Sequence, residues 1–478
     1  MYCVARHLTV AHNAVRQVSL SRNITQSAIM TKRILYVYAP AGPPLDYSFP
    51  KIANRGDVYT CIVSKPSTYN REILLKNSAE IHDFSDMLPE DAFARVCEIA
   101  EALKPDALFT FSEFLLKSVS ELAAKLGLRG VGPNIDLARN KMLMRKRWKE
   151  AGVPQPEFRS IRAREDLHLV AQLRFPVLIK LAYGAGSIGQ QIVRGMQEVD
   201  AAVARLLEAT EAARSAGKHE FSEHVGFPQL IAEEIIESST DSWYVDDGYG
   251  DYLSVEGLVR DGEYFPLAMT GRLRTIEPFT ELGNVTPCVL TKEKKEYIVG
   301  LVRTAIDGLG LQNCATHTEM KLMADGCVSF LETAARMGGV AIAKEVDEVF
   351  GIDYIDLFLD VLLGERKRIP DFEENPPRCA AASVALIGCD SRGMPWRHAK
   401  TFTPDKVDWQ ALVEGLAQVS IQAAQSIEVG GKMTPYDGAG GLLNYAGQAF
   451  LVSATPADLK HAAYGLIDSL EPQLPNYS

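Results

Sequence analysis

No apolar run in this sequence approaches the roughly 18 residues that a membrane-spanning helix needs, which excludes a helical membrane protein and leaves no membrane partner expected. Paired cysteines are missing too. Cys3, Cys61, Cys97, Cys288, Cys314, Cys327, Cys379 and Cys389 are scattered, with no C-x-x-C pair and no Cys/His cluster at zinc spacing. They read as reduced, mostly buried thiols of a reducing compartment, so a cytoplasmic location is expected. Positive charge is in deficit: the net charge of −11 repels a phosphate backbone, so nucleic acid is not expected as a partner, while a local basic pocket for one nucleotide stays open. The loop Ala39-Pro40-Ala41-Gly42-Pro43-Pro44 is not a G-x-G-x-x-G dinucleotide fingerprint, no loop carries the G-K-[ST] of a Walker A motif, and no G-x-S-x-G elbow marks a hydrolase. Acids are absent before Asp46, whereas Arg6, Arg16 and Arg22 precede it. A transit peptide has that bias. Met30 leads straight into a strand-like run, which favours a disordered extension over residues 1–30, or an upstream start that is not the natural one.

What is present is the composition of an ordinary globular protein, 47% hydrophobic and 23% charged over 478 residues, enough for three or four packed modules. Short apolar runs at Ile34–Tyr38, Val58–Val63 and Ala107–Phe111, with helical periodicity over Ala92–Leu103 and Glu113–Leu126, predict a small parallel α/β domain over residues 31–134. Ile135–Ala151 reads as one helix, capped by Asn134 and closed by Gly152, with Pro154 beyond. It opens a lid region over 135–236, in which Phe175–Leu181 and Ile188–Val193 flank a glycine-rich loop, a helix follows over Val199–Ala216, and Gln229–Ile236 is a further strand. Over 237–366, Asp261-Gly262 and Asp325-Gly326 read as two-residue hairpin turns, with the helix Lys292–Leu309 between them. The charged, proline-rich stretch 366–378 reads as a linker. A C-terminal α+β module (367–478) starts at the strand Ala382–Ile387 and ends in a helix capped by Thr455 with Pro456 in its first turn. The fold class expected is therefore α/β and α+β, multidomain.

The Asp325-Gly326 hairpin carries the clearest chemistry. A two-residue turn pairs Ala324 with Cys327 and, counting outward, sets Glu319 opposite Glu332. Facing residues have Cβ atoms about 5 Å apart. Two carboxylates so close repel unless a divalent cation sits between them, and Mg²⁺ typically takes one or two carboxylates and completes its shell with water and phosphate oxygens. His317 and Lys321 share that polar face. A second element, Lys180-Leu181-Ala182-Tyr183-Gly184-Ala185-Gly186-Ser187-Ile188-Gly189, offers backbone N–H groups, a hydroxyl and an ammonium to phosphates; by itself it fits a plain flexible hairpin equally well. A third, Ala232-Glu233-Glu234-Ile235-Ile236, offers a strand edge and acids that suit an adenine amino group, or is simply an acidic strand.

In this order the elements resemble the ATP-grasp superfamily over about residues 32–365. The resemblance implies an ATP-grasp fold, with ATP and Mg²⁺ as cofactors and Mn²⁺ able to take the metal's place. It implies Lys141 and Lys180 as phosphate lysines, Gly184, Gly186, Ser187 and Gly189 as the phosphate flap, and Glu233, Glu234 and Ile236 as the adenine hinge. Glu319 and Glu332 become the metal carboxylates, and Arg336 the arginine that steadies the transferring phosphoryl group, catalytic together with Lys180. Within the superfamily, Asn313–Met323, Tyr252–Gly257 and Phe279–Pro287 are similar to bacterial L-amino acid ligases of the bacilysin dipeptide type. That implies a ligase joining two L-amino acids through an aminoacyl phosphate, with ADP and phosphate released, small amino acids as partners, and a homodimer left open. It also implies Glu281, Asn284, Arg336, Gly338, Gly339 and Val340 at the substrate. Two positions depart from the family, Asn284 where it has a histidine and Val340 where it has a bulky tryptophan. The rival readings are another ATP-grasp ligase with a different carboxylate or amine, and an ATP-binding regulatory protein without turnover.

Overall fold

Four sheets of three or more strands organise the described residues in the computed structural model, which describes residues 31–478 except 185, 216–226, 278, 373 and 439. The expectation for residues 1–30 lies outside the described residues. The first sheet is parallel, in the order Glu80–Asp83, Asp57–Ile62, Arg33–Tyr38, Ala107–Phe109. Strands Arg33–Tyr38 and Ala107–Phe109 are buried on both faces because helices cover both, whereas the edge strand Glu80–Asp83 is polar and partly exposed. Two of those helices, Leu45–Ala53 and Thr68–Asn77, were not expected: the first follows directly on Pro43-Pro44 and carries Pro50 inside it, and the second is amphipathic only weakly, started by Ser67 accepting from the Asn70 N–H.

The lid sheet is antiparallel, in the order Phe158–Ile161, Leu230–Glu234, Val177–Leu181, Gln191–Val193. Its last hairpin carries the glycine-rich loop, so that loop does join two strands. The helix Val199–Ser215 packs on this sheet; the expected final residue, Ala216, lies outside the described residues. The five-stranded antiparallel sheet runs Asn284–Val285, Glu263–Arg272, Tyr252–Arg260, Cys314–Leu322, Val328–Ala334. A three-stranded sheet, Ala380–Ile387, Tyr445–Ser453, Gln418–Ile421, carries the final helix Pro456–Ser469. Thr455 caps that helix by accepting from the Asp458 N–H. Lys32–Ser478 form one compact unit. One core runs from Ile34 and Tyr36 in the parallel sheet through Leu258 and Val346 to Ala381 and Phe450, and bridges at Gly283–Val384 and Thr286–Ala381 stitch the C-terminal sheet to the strands before it.

Two expectations are corrected. The helix predicted over Ile135–Ala151 is two helices, Ile135–Arg139 and Lys141–Ala151. Asn140 between them is extended, and its side chain accepts from the N–H groups of Met142 and Leu143, while Asn134 makes no side-chain cap. The break aims Lys141 from a helix N-terminus. The Asp325-Gly326 turn also differs. The loop is three residues long, Met323 pairing with Cys327 and Gly326 at φ +81°, the form that closes with a left-handed glycine. That shifts the register by one position, and a bulge at Leu331 between Met320–Phe330 and Glu319–Glu332 shifts it back. The facing pair Glu319–Glu332 thus stands, through two offsets that cancel. The Asp261-Gly262 turn is as expected, both residues at positive φ.

Replacing Asn140 by Ala removes both cap bonds and is expected to cost about 1 kcal/mol of unfolding free energy. Urea denaturation of the variant measures this, and an unchanged midpoint at unchanged slope refutes the capping role.

Candidate active site

The lid sheet and the five-stranded sheet face each other across a cleft, and the side chains that line it come from sequence positions far apart. Lys141 starts its helix there. Its N–H donates to the Ala182 carbonyl at 2.9 Å, and its Nζ reaches the Gly184 carbonyl at 2.6 Å and Glu332 Oε2 at 2.8 Å. Lys180, next to last in its strand, stands on the same wall, with Nζ 2.6 Å from Glu233 Oε2. Arg145 lies one turn after Lys141, so both project from one helix face. Its Nε donates to Glu233 Oε1 at 2.6 Å and its second arm to the Leu331 carbonyl at 2.7 Å. Glu233 is therefore a buried anion between two cations. Burial alone would raise its pKa, and Arg145 and Lys180 overrule that and hold it at about 2. Lys180 is pushed below its ordinary value, first by burial and then by the nearby Arg145 and Lys141 charges, which Glu233 only partly offsets. Two cations against one carboxylate leave the triad itself with a net positive charge.

Glu332 is held at about 2 against its partial burial by Lys141, with Lys180 and Arg336 contributing. Arg336 itself is ion-paired with Glu113 and donates to the Met337 carbonyl at 2.6 Å. Glu113 in turn is ion-paired with Arg139, and these two guanidinium groups keep the buried Glu113 carboxyl below its ordinary pKa despite the cost of burial. On the opposite wall, Glu281 meets Arg272 Nε at 3.2 Å and the Tyr252 hydroxyl at 3.2 Å. Burial keeps its pKa raised even beside that guanidinium. Glu319 accepts from His317 Nε2 at 2.8 Å.

Most of the residues singled out in the sequence are brought together. Lys141, Lys180, Gly184, Gly186, Ser187, Glu233, Glu234, Ile236, Glu281, Glu319 and Glu332 all line the cleft. Gly189, Asn284, Arg336, Gly338, Gly339 and Val340 do not. Asn284 is buried and donates to Ser383 Oγ at 3.0 Å, which in turn donates to Glu345. Val340 sits at φ +58°, a backbone conformation that strains a β-branched residue. Glu233 has both oxygens engaged by cations, so its carboxyl holds Lys180 in place. Sequence reasoning missed Arg145, Glu113, Arg139, Arg272 and Glu256. Arg145 alone had a local signal, its four-residue spacing from Lys141; the others join the charge network behind the cleft only through long-range packing.

A model of the ATP-grasp domain family matches residues 173–344. The chain carries an ATP-grasp domain. Its fold is the ATP-grasp fold: the L-amino acid ligase of Bacillus licheniformis superposes with a TM-score of 0.70 over 93% of this chain and 98% of that one, at 20% identity. Phosphoribosylglycinamide synthetase of Anaerococcus prevotii does so at 0.58, over 90% and 96%, at 17% identity. In sequence, the chain is 34% identical over 317 residues to an alanine–anticapsin ligase of Bacillus subtilis, covering 64% of each chain. It therefore spans less than two thirds of the relative it matches. A D-alanine–D-alanine ligase of Burkholderia cenocepacia is 26% identical over 244 residues, 49% of this chain and 68% of that one. Among the described residues no helix is long and apolar enough to cross a membrane.

Within the ATP-grasp cleft the donors fit a hard cation. Among the described residues no group of three or more His, Cys, Asp or Glu side chains forms a cage, so a metal held by Glu319 and Glu332 would draw its other oxygens from water and phosphate, the usual habit of Mg²⁺.

Glu233→Gln leaves Arg145 and Lys180 buried without their counter-charge, at an expected cost on the order of 3 kcal/mol near neutral pH. The folded pKa of Glu233 is depressed to about 2, so its contribution is complete above the unfolded value near 4 and fades as pH falls toward 2. Urea denaturation of both proteins at pH 7 and pH 3 tests this; a stability gap that does not narrow at pH 3 contradicts the ion triad.

Proposed function

We propose that this ATP-grasp protein is an ATP-dependent carboxylate–amine ligase that joins two L-amino acids through an aminoacyl phosphate, releasing ADP and phosphate. The observation that carries the reading is where the charges sit: Lys141, Lys180 and the Glu319–Glu332 pair converge on one end of the cleft, with Arg336 acting on Glu332 from behind. That is where the γ-phosphoryl group of a nucleotide would lie if its base occupied the Glu234–Ile236 edge. The kinship with an alanine–anticapsin ligase supports amino acids as the substrates.

An amide does not form from a free carboxylate at neutral pH, because oxide is too poor a leaving group. Phosphorylation supplies a better one, and the protein's part is positioning and charge stabilisation. The flap would bring its backbone N–H groups and Ser187 over the phosphates while Lys141 and Lys180 take their charge. Glu319 and Glu332 would hold Mg²⁺, which supplies neutralisation of the phosphate oxygens. Lys141 now bridges Glu332 and the flap carbonyl of Gly184, so arrival of nucleotide would re-partner it and couple flap position to phosphate binding. Glu281, kept in the cleft by Arg272 and Tyr252, is the acid placed to accept an ammonium group. A nearby guanidinium lowers the appeal of that site for a cation, and the raised pKa of Glu281 shows burial prevailing over it. No covalent protein nucleophile is needed.

Glu319→Gln and Glu332→Gln are each expected to lower kcat by about a hundredfold or more at saturating Mg²⁺, the usual scale for removing a group that stabilises transition-state charge. Near-normal turnover in either variant, with the melting temperature preserved, removes that residue from the mechanism. Chromatography of the nucleotide product with paired L-amino acids, ATP and Mg²⁺ tests the reaction: ADP should form slowly with one amino acid and faster with a suitable pair. AMP as the product overturns the γ-phosphoryl mechanism, and ADP without any amide across a broad panel moves the reading to a different acceptor.

A further inference from the structure

Glu319 is not a free carboxylate in the cleft wall. Its Oε1 accepts from His317 Nε2 at 2.8 Å, and His317 Nδ1 faces the two oxygens of Glu256 at 2.8 and 3.0 Å. His317 and Glu256 are directly paired on neighbouring strands, 5% and 0% exposed, and neither lines the cleft. Ser254 Oγ also donates to Glu256 Oε1, at 2.8 Å. Because both ring nitrogens face carboxylate oxygens, both must donate, and the ring cannot turn without losing a bond. Gly338 closes over the pair: a Cβ there would lie 2.8 Å from His317 Nδ1 and 3.1 Å from Glu256 Oε2. The sequence singled Gly338 out for substrate, and the structure gives its missing side chain to this buried pair. Glu332 is similarly half-engaged, with Oε2 on Lys141.

We propose that the buried Glu256–His317 pair sets the metal selectivity of the cleft, by tying down Oε1 of Glu319 so that this carboxylate offers a cation a single oxygen. The inference rests on Glu319 as a metal ligand, as proposed above. Mg²⁺ is small, demands a near-octahedral shell and is satisfied by one oxygen from each carboxylate. Ca²⁺ takes more oxygens at longer distances and gains from a carboxylate that turns both toward it. A carboxylate pinned through one oxygen serves the first ion and denies the second its preferred grip. His317 and Glu256 touch no ligand; they act through Glu319 and are positioning residues.

The test uses the full chain loaded with a non-hydrolysable ATP analogue. Bound Mn²⁺ is followed by electron paramagnetic resonance and displaced with Mg²⁺ or Ca²⁺, which gives the ratio of the two affinities. Glu256→Gln loosens the ring with little change of shape. The double variant His317→Leu with Glu256→Gln removes the buried charge together with its partner, which limits the risk of unfolding. Thermal unfolding without metal reports the fold of each. The double variant should shift the ratio toward Ca²⁺ by about tenfold or more, the scale on which outer-shell partners act on metal sites, and Glu256→Gln should shift it less in the same direction. A ratio within twofold of the unmodified protein in either folded variant overturns the proposal. Glu319→Gln separates the two readings. If it leaves Mn²⁺ binding intact, the metal assignment itself fails; if it abolishes the site while the ratio stays fixed in the other variants, only the selectivity role fails.

Discussion

The ion triad of Arg145, Glu233 and Lys180 is the constraint around which the cleft is built. Three ionised groups are taken out of water, which is costly for each unless its partners and geometry are right. The triad satisfies that condition by drawing on three separate elements: Arg145 from a helix, Lys180 and Glu233 from adjacent strands of the lid sheet. Arg145 then reaches across to the Leu331 carbonyl on the far sheet. One residue thus ties the lid to the bulge that brings Glu332 opposite Glu319. Loosening the triad would release the position of Lys180 and the register of Glu332 together.

Around that centre the charges are arranged so that each catalytic candidate has a resident partner. Lys141 is on Glu332, Lys180 on Glu233, Arg336 on Glu113, Glu281 on Arg272, and Glu319 on His317. A site in this condition is preorganised without being inert. Phosphate groups and a divalent cation would replace protein partners of like charge, so binding exchanges ion pairs instead of creating them in a bare pocket, and the reorganisation needed at the moment of reaction is small.

The substrate end is built differently. The short strands Thr275–Ile276 and Thr280–Glu281 carry Phe279 and Glu281 into the cleft, and the C-terminal module holds them. Tyr436 donates to the Glu277 carbonyl at 2.6 Å and Tyr445 to the Glu281 carbonyl at 2.8 Å. The module that resembles the family least therefore supports the wall that would choose the amino acids. Asn284 lies behind that wall, in a buried chain of hydrogen bonds to Ser383 and Glu345, so its difference from the family's histidine changes how the wall is braced.

The sequence by itself determined the features that depend on neighbours in the chain. The apolar runs placed strands such as Arg33–Tyr38, Val177–Leu181 and Ala380–Ile387, Gly152 at φ +73° closed its helix, and the glycine-rich run was located between two strands. Periodicity and capping are local physics, and the motif order was enough to reach the ATP-grasp fold and the two carboxylates. Local reasoning also misplaced what a single side chain decides: Asn140, which can cap or continue a helix, broke the helix in two, and a three-residue turn with a compensating bulge replaced the simpler one. Only the tertiary structure decided what the charges do. Glu233 is an anion locked between two cations, Arg336 is backed by a glutamate more than two hundred positions away, and His317 is held from behind by Glu256 on a neighbouring strand. Those pairings follow from which strands and helices pack across the core. A residue's chemical type says that it can form an ion pair or ligate a metal, and the packed chain alone brings it within 3 Å of the group that makes it do one or the other.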